Sequence, residues 1–452
     1  MNPARTLRAL AGAVWLACAW PAAAANGLGG QDGLGVAAAR IDGAPLLAFS
    51  VETSWRIARA ADPTARRSAT LDALIANRLL ADAARKRFGE AVLSTGRRVG
   101  FARDVGIDDQ LVSTLRAQYG AEMEQDLRRL PGAGLDSLLH PQAVSEAALD
   151  GVFGKPGVLQ LDLDLDTAQL AQADKLVLLR FALPHGGDGS ITVGDVYRRQ
   201  NVQGRVALFA RERDFMQQQA RVQVAARYVL DWSRRRFGTD AVADLRRVLA
   251  DQGDVQAMLR LHGMGDDQHA GSRLLDQLAS QVSPAQVRDW YQRHREDFVR
   301  IERVRARHIR LPDEATARTV SAALAAGADF ATLARRHSLA PSAAAGGALG
   351  WVRHEGRPGW LAQLAFAQAE GKASAPVRTP APPDAQAPWE IVLVEQRVLG
   401  FQDADSESVR YVASRALARE MAAAQLVALR EQLLRKARID IIAAGTASAG
   451  PA

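Results

Sequence analysis

Apolar positions between Ala37 and Leu47 cluster on either side of Asp42-Gly43, the pattern of a strand, a tight turn and the entry to a second strand. From Pro63 the period lengthens. Leu71, Leu74, Ile75, Leu79 and Leu80 recur at steps of three and four, with Arg66, Arg67, Asp72 and Arg78 between them, which predicts an amphipathic helix. Similar spacing predicts helices over about 108–129 and 134–150. Residues 157–193 read differently: Val158–Leu165 alternates apolar residues with Gln and Asp, and Lys175–Leu183 is a second strand candidate, so this stretch is expected to be partly β. Long helices resume from about Gly194 to Asp251. Ser283-Pro284 then marks a helix start, Ser as N-cap and Pro at the first helical position, with Val287, Trp290 and Tyr291 facing inward and the helix ending near Phe298.

A compact mixed pattern follows. Val304–Leu311 alternates like a strand and stops at Pro312. A helix through Thr316, Val320 and Leu324 ends at Gly327, and Asp329 caps a second one from Phe330. The Gly-rich turn Gly346–Trp351 leads to a third helix over Leu361–Phe366, and strands are expected near Ser374–Thr379 and Trp389–Glu395. Ser406–Ala437 is again helical in period, and Ile439–Ile442 reads as a short closing strand. That last helix has no apolar partner inside the compact module, so its face is expected to pack on the N-terminal helices. The fold class is therefore α+β: a mainly helical region from the N- and C-terminal segments, 36–299 and 405–443, with an inserted α/β module over 300–398, a small antiparallel sheet flanked by helices.

Composition changes this picture little. With 48% hydrophobic and 24% charged residues the chain is ordinary for a globular protein, which argues against wholesale disorder, and 452 residues are too many for one small core. The net charge of +7 is spread among alternating Arg and acidic residues with no basic face interleaved with aromatics, so nucleic acid is not an expected partner. The N-terminus is more specific. Arg5 and Arg8 precede an apolar run from Ala9 to Trp20, then Pro21 and Ala22–Ala25, the order of a secretory signal peptide over residues 1–25. The run is too short to span a membrane comfortably, and no later stretch is long enough. Cleavage near Ala25 removes Cys18, the single cysteine; a lipid-modified Cys18 is the rival reading, against which Trp15 counts. The expected location is the periplasm.

Two clusters invite a metal. Leu161–Asp166 alternates Leu and Asp but lacks the Gly and closing Glu of a calcium loop, and reads better as a half-buried strand. His262 and His269, near Asp266 and Asp267, fit no firm metal spacing and read as solvated loop residues.

The compact module carries Ala-Arg-His-Ile at 306–309, Gly-Ala-Asp-Phe-Ala-Thr-Leu-Ala at 327–334, His-Ser at 337–338, Pro-Ser-Ala at 341–343, Gly-Gly-Ala-Leu-Gly-Trp at 346–351, Ala-Phe at 365–366 and Pro-Val-Arg-Thr at 376–379. In this order the pieces resemble the parvulin (PpiC, rotamase) family of peptidyl-prolyl cis-trans isomerases. Ile41-Asp42-Gly43, Leu71–Ile75 and Arg78–Leu80 resemble the N-terminal helical domain of chaperone-isomerases of the SurA and PrsA type, and Val282–Phe298 the helix leading into their isomerase domain.

The resemblance implies catalysis of rotation about X–Pro bonds, a barrier of about 18–20 kcal/mol set by amide resonance. It implies no metal or organic cofactor, an apolar pocket for the proline ring, and a polar floor favouring the twisted amide. It places His308 at the first family histidine, Thr379 at the threonine and Leu349 at the pocket leucine, with Phe366 beside them. Four positions depart from the pattern: Ala340 stands at the Cys/Asp position, Arg357 at the pocket Met, Leu361 at the pocket Phe and Glu390 at the second histidine. The expectation is a His308 without the partners that set its tautomer, and an Arg357–Glu390 ion pair across the former site. Two readings stay open. One is an exported isomerase and chaperone for unfolded or Pro-containing polypeptides; the other is a non-catalytic holdase or dedicated assembly factor using the same fold to bind peptide.

Overall fold

A computed structural model describes residues 35–94, 101–130, 132, 134–155, 163–265, 272–353, 359–382 and 386–442. The chain divides into two compact units, one built from residues up to Ser272 together with those from Ala423 onward, the other from Arg273 to Ala422.

In the first unit β1 (Ala37–Ile41) and β2 (Ala44–Leu47) form a hairpin turned by Asp42 and Gly43, both at positive φ. Helix α1 (Ala48–Ala61) follows at once, burying Phe49, Val51 and Thr53. The sequence reading placed the first helix only after Pro63. Its buried residues gather in the first turns, so no full-length buried stripe betrays it, and Pro63 instead lies in the turn before α2 (Arg67–Ser94), which kinks at Gly89. Next comes α3 (Arg103–Arg128), kinked at Tyr119. The helix expected over 134–150 is a 3₁₀ turn, Leu135–Leu138, a strand β3 (Leu139–Pro141) and a short helix α4 (Glu146–Phe153). Pro141 explains the break, since it lacks the N–H an interior helical turn needs and disfavours helix at His140.

Of the strand expected over Val158–Leu165, residues 156–162 lie outside the described residues, and 163–165 are irregular chain leading to Asp166, which caps α5 (Thr167–Ala173). Strands β4 (Val177–Leu183) and β5 (Gly187–Thr192) pair with β3 in the order β3-β4-β5. The long helical stretch resolves into α6 (Val193–Arg198), α7 (Val202–Phe209), α8 (Arg213–Phe237) and α9 (Thr239–Leu261). Phe49, Tyr119, Trp232 and Phe237 meet in the main core, with Phe49 stacked on Phe237 at a ring-centroid distance of 4.5 Å and Trp232 edge-on to Phe237.

Arg78, one of the polar positions on α2, is 2% exposed rather than solvated. It meets Asp251 and Asp244 of α9, while Arg85 binds Asp251 and Asp254, and Arg103 of α3 reaches Asp254 at 2.7 Å. Buried charges are tolerated here because Asp251 and Asp254 each lie between two arginines; burial still holds the Asp251 carboxyl above its ordinary value. His262, expected in a wet loop, is 2% exposed. It follows the last turn of α9, its Nδ1 is 2.7 Å from the Met258 carbonyl, and its ring meets Phe88 edge-on. His269, Asp266 and Asp267 lie outside the described residues, and no His/Cys/Asp/Glu group that could hold a metal occurs among those described.

The second unit opens with α10 (Arg273–Ser280) and α11 (Pro284–Arg293), the latter started by a Ser283/Gln286 capping box with Pro284 at its first position. Val287, Trp290 and Tyr291 are buried. Strand β6 (Val299–Leu311) is followed by α12 (Glu314–Ala325) and α13 (Phe330–His337), capped by Asp313 and Asp329. Then come β7 (Ala348–Arg353), α14 (Trp360–Ala367), β8 (Val377–Arg378) and β9 (Trp389–Phe401). The sheet is antiparallel in the order β7-β6-β9-β8. Unlike the 300–398 span drawn from sequence, this unit includes α10, α11 and the first part of α15 (Glu407–Lys436), whose Val409 and Ala413 pack with Trp290 and Phe298.

The later turns of α15 belong to the first unit. Leu426 packs with Leu80, Ala84 and Met258, and Leu433 reaches the cluster that holds Leu74 and Ile75. The last strand, β10 (Ile439–Ile441), pairs antiparallel with β1. No helix among the described residues is long and apolar enough to cross a membrane.

Candidate functional site

Alternation along β6 sends its side chains to two faces of the sheet. Ile309 and Leu311 pack with Ile391 under α12 and α13, beside Val320 and Phe330. Val304 and Ala306 pack with Val392, Val394 and Ala365 of α14 on the other side. In the β6–β9 register His308 stands opposite Val392 and Arg310 opposite Glu390, which puts all four on the α14 side.

His308 is 4% exposed and Glu390 fully buried. The His308 Nδ1 lies 2.9 Å from Glu390 Oε2, and Arg310 Nε donates to Glu390 Oε1 at 2.6 Å. An ionised carboxylate only accepts, so Glu390 keeps a proton on Nδ1. On the far side of the ring, Nε2 is 2.9 Å from Ser342 Oγ. The expected partnerless histidine is thus corrected: an acid on β9 fixes its tautomer, because strand register brings Glu390 within reach. Arg357 lies outside the described residues, and both oxygens of Glu390 are engaged by His308 and Arg310.

Ser342 reaches the ring because the 3₁₀ turn Pro341–Ala345 is pressed onto β6. Ala340, 4% exposed, precedes the turn, and Pro341 begins it. Gly346 and Gly347 end it at φ +67° and +76°. The Gly347 carbonyl accepts from His308 N at 2.9 Å, and a Cβ on Gly347 would lie 2.2 Å from the His308 carbonyl oxygen. Only glycine permits that approach.

The apolar candidates gather next to this array. Leu349, Leu361 and Phe366 are half-buried and pack on the cluster containing Val392, the residue facing His308. Thr379 follows β8, two residues beyond Val377, which pairs with Glu390. Its amide donates to the Pro388 carbonyl at 2.9 Å, and its Oγ1 is buried without a hydrogen-bond partner among the described residues. Sequence reasoning had passed over Ser342 and Arg310. Signals for both were present: Ser342 lies inside the Pro-Ser-Ala piece, and Arg310 is one strand repeat beyond His308.

Comparison with known proteins bears on this unit. The Rotamase family, PPIC-type PPIASE domain, matches residues 310–395, a span that contains Ala340, Leu349, Leu361, Phe366, Thr379 and Glu390 and begins two residues after His308. The chain carries a PPIC-type rotamase domain. A stretch of the chain is similar to the periplasmic chaperone PpiD of Haemophilus ducreyi, 38% identical over 99 residues, and to the foldase protein PrsA of Caldanaerobacter subterraneus subsp. tengcongensis, 35% identical over 99 residues. Each match covers 22% of this chain, and the chain spans 16% and 31% of those two relatives' lengths. Among solved structures, the peptidylprolyl isomerase PrsA of Bacillus anthracis is 20% identical with a TM-score of 0.21, covering 46% of this chain and 85% of that one.

Proposed function

We propose that this protein is an exported peptidyl-prolyl cis-trans isomerase and folding helper for unfolded or Pro-containing polypeptides of the cell envelope. The carrying observation is the rotamase match together with a buried, tautomer-fixed His308 beside a half-buried apolar wall. In this reading Leu349, Leu361 and Phe366 receive the proline ring, removing the amide from water, with Ala340 at the pocket edge. His308 and Thr379 supply the polar side that favours the twisted amide, whose nitrogen lone pair is released from conjugation. Arg357 is assigned to the pocket by its place in the sequence. No cofactor is needed, because no bond is made or broken.

The test is a proline-limited refolding assay with the full chain. Wild type is expected to accelerate the slow phase, which otherwise takes tens to hundreds of seconds, and His308→Ala to reduce that acceleration about tenfold or more. Absence of acceleration by wild type would sink the enzyme reading.

A second reading, a non-catalytic holdase or dedicated assembly factor, draws on the ion pair Arg310–Glu390 set beside the apolar wall, where a proline pocket gains from desolvation. It expects suppression of client aggregation that His308→Ala leaves untouched. Export rests on residues 1–25, which lie outside the described residues; N-terminal sequencing of protein recovered from a periplasmic fraction should begin near Asn26, and an intact Met1 there would count against cleavage.

A further inference from the structure

Hydrogen bonds link Arg310, Glu390, His308 and Ser342 in a row, with the Glu390 carboxylate accepting from both Arg310 and His308. The row has a part-exposed guanidinium at one end, a carboxylate with no water access inside it, and a half-buried hydroxyl at the other end. Ala340 has no side-chain heteroatom to offer, and Glu390 is already occupied at both oxygens. His308 itself is sealed from solvent, with one nitrogen on Glu390 and the other on Ser342. On the His308 side of the row, the polar atom that reaches toward the outside is Ser342 Oγ.

From this arrangement we infer that Ser342 is the catalytic hydroxyl that meets the prolyl amide, with Glu390 and Arg310 as positioning residues acting through His308. The inference rests on the isomerase reading above. Rotation about the X–Pro bond localises the nitrogen lone pair, and a hydroxyl proton aimed at it stabilises the twisted amide while gaining little from the planar one. No proton is transferred overall and no covalent intermediate forms. The direction of the hydroxyl follows the charge of the ring. With the proton on Nδ1 held by Glu390, a neutral His308 presents a bare Nε2 and draws the Ser342 proton inward. A protonated ring donates from Nε2 to Ser342 Oγ, and the hydroxyl proton turns outward. Among the described residues, the charged groups facing the ring are Glu390 from β9 and, through it, Arg310 from β6; the 3₁₀ turn contributes Ser342.

The experiment measures kcat and KM of the full chain on a short peptide with a single X–Pro bond. Ser342→Ala is expected to lower kcat about 10- to 100-fold with KM within about twofold, and Ser342→Thr, which keeps the hydroxyl, to restore most of the loss. A second measurement, ¹⁵N spectra of the His308 ring, should show Nδ1 protonated and hydrogen-bonded in wild type, and that hydrogen bond weakened in Glu390→Gln. An inactive wild type overturns the isomerase reading and this inference together. An active wild type whose kcat survives Ser342→Ala, or whose Ser342→Thr variant behaves like alanine, overturns the inference alone.

Discussion

Glu390 has no contact with water, and its two oxygens are taken by His308 and Arg310. Replacing it by alanine would leave a buried imidazole and the inner edge of a guanidinium without their acceptor, so Glu390→Ala should destabilise the second unit by about 3–5 kcal/mol, read from urea denaturation of the full chain. Burial pushes His262 below its ordinary value of 6.5. The unfolded chain takes up that proton first as pH falls. The stability His262 confers is therefore complete above about pH 6.5 and lost as pH drops through the folded-state value. The urea midpoint should decline across that window, and His262→Gln should flatten the decline. At this scale the sequence told residue types but not partners. His308, Leu349 and Thr379 could be placed by their neighbours in the chain, whereas the Glu390 contact depends on a strand register spanning β6 and β9, and the burial of Arg78 on acids from a distant helix.

Elements with complete local signals were legible. The Ser283-Pro284 start and the Asp329 cap appear where their side chains predict them, because a cap is a contact across only three residues. Helix α1 and strand β3 were missed, since one buries only its first turns and the other owes its existence to pairing with β4. The glycine turn shows how an element can hold a site. Gly347 combines φ +76° with a backbone contact that leaves no room for a Cβ. Gly347→Ala should therefore lift the 3₁₀ turn off β6, costing at least about 2 kcal/mol and separating Ser342 from His308. Thermal denaturation checks the first effect and the His308 ring spectrum the second; an unchanged melting temperature would contradict the close approach.

Across the whole chain, the first unit is completed by residues that come after the second. Leu426, 9% exposed, covers Leu80, Ala84 and Met258, and β10 closes the sheet on β1. Leu426→Ala should cost about 2–5 kcal/mol, with the loss seen in the first unit by hydrogen exchange and the rotamase segment unchanged.

That closure carries a schedule. At about 5–20 residues per second of synthesis, roughly 10–30 s separate the emergence of Ser272 from that of Ile441. The rotamase unit is complete before Ile441 exists, so it can take shape while its host still lacks the strand that seals it. Through that interval the surfaces of Leu80, Ala84 and Met258 that Leu426 later covers stand open, an apolar gap that closes only when the last helix arrives.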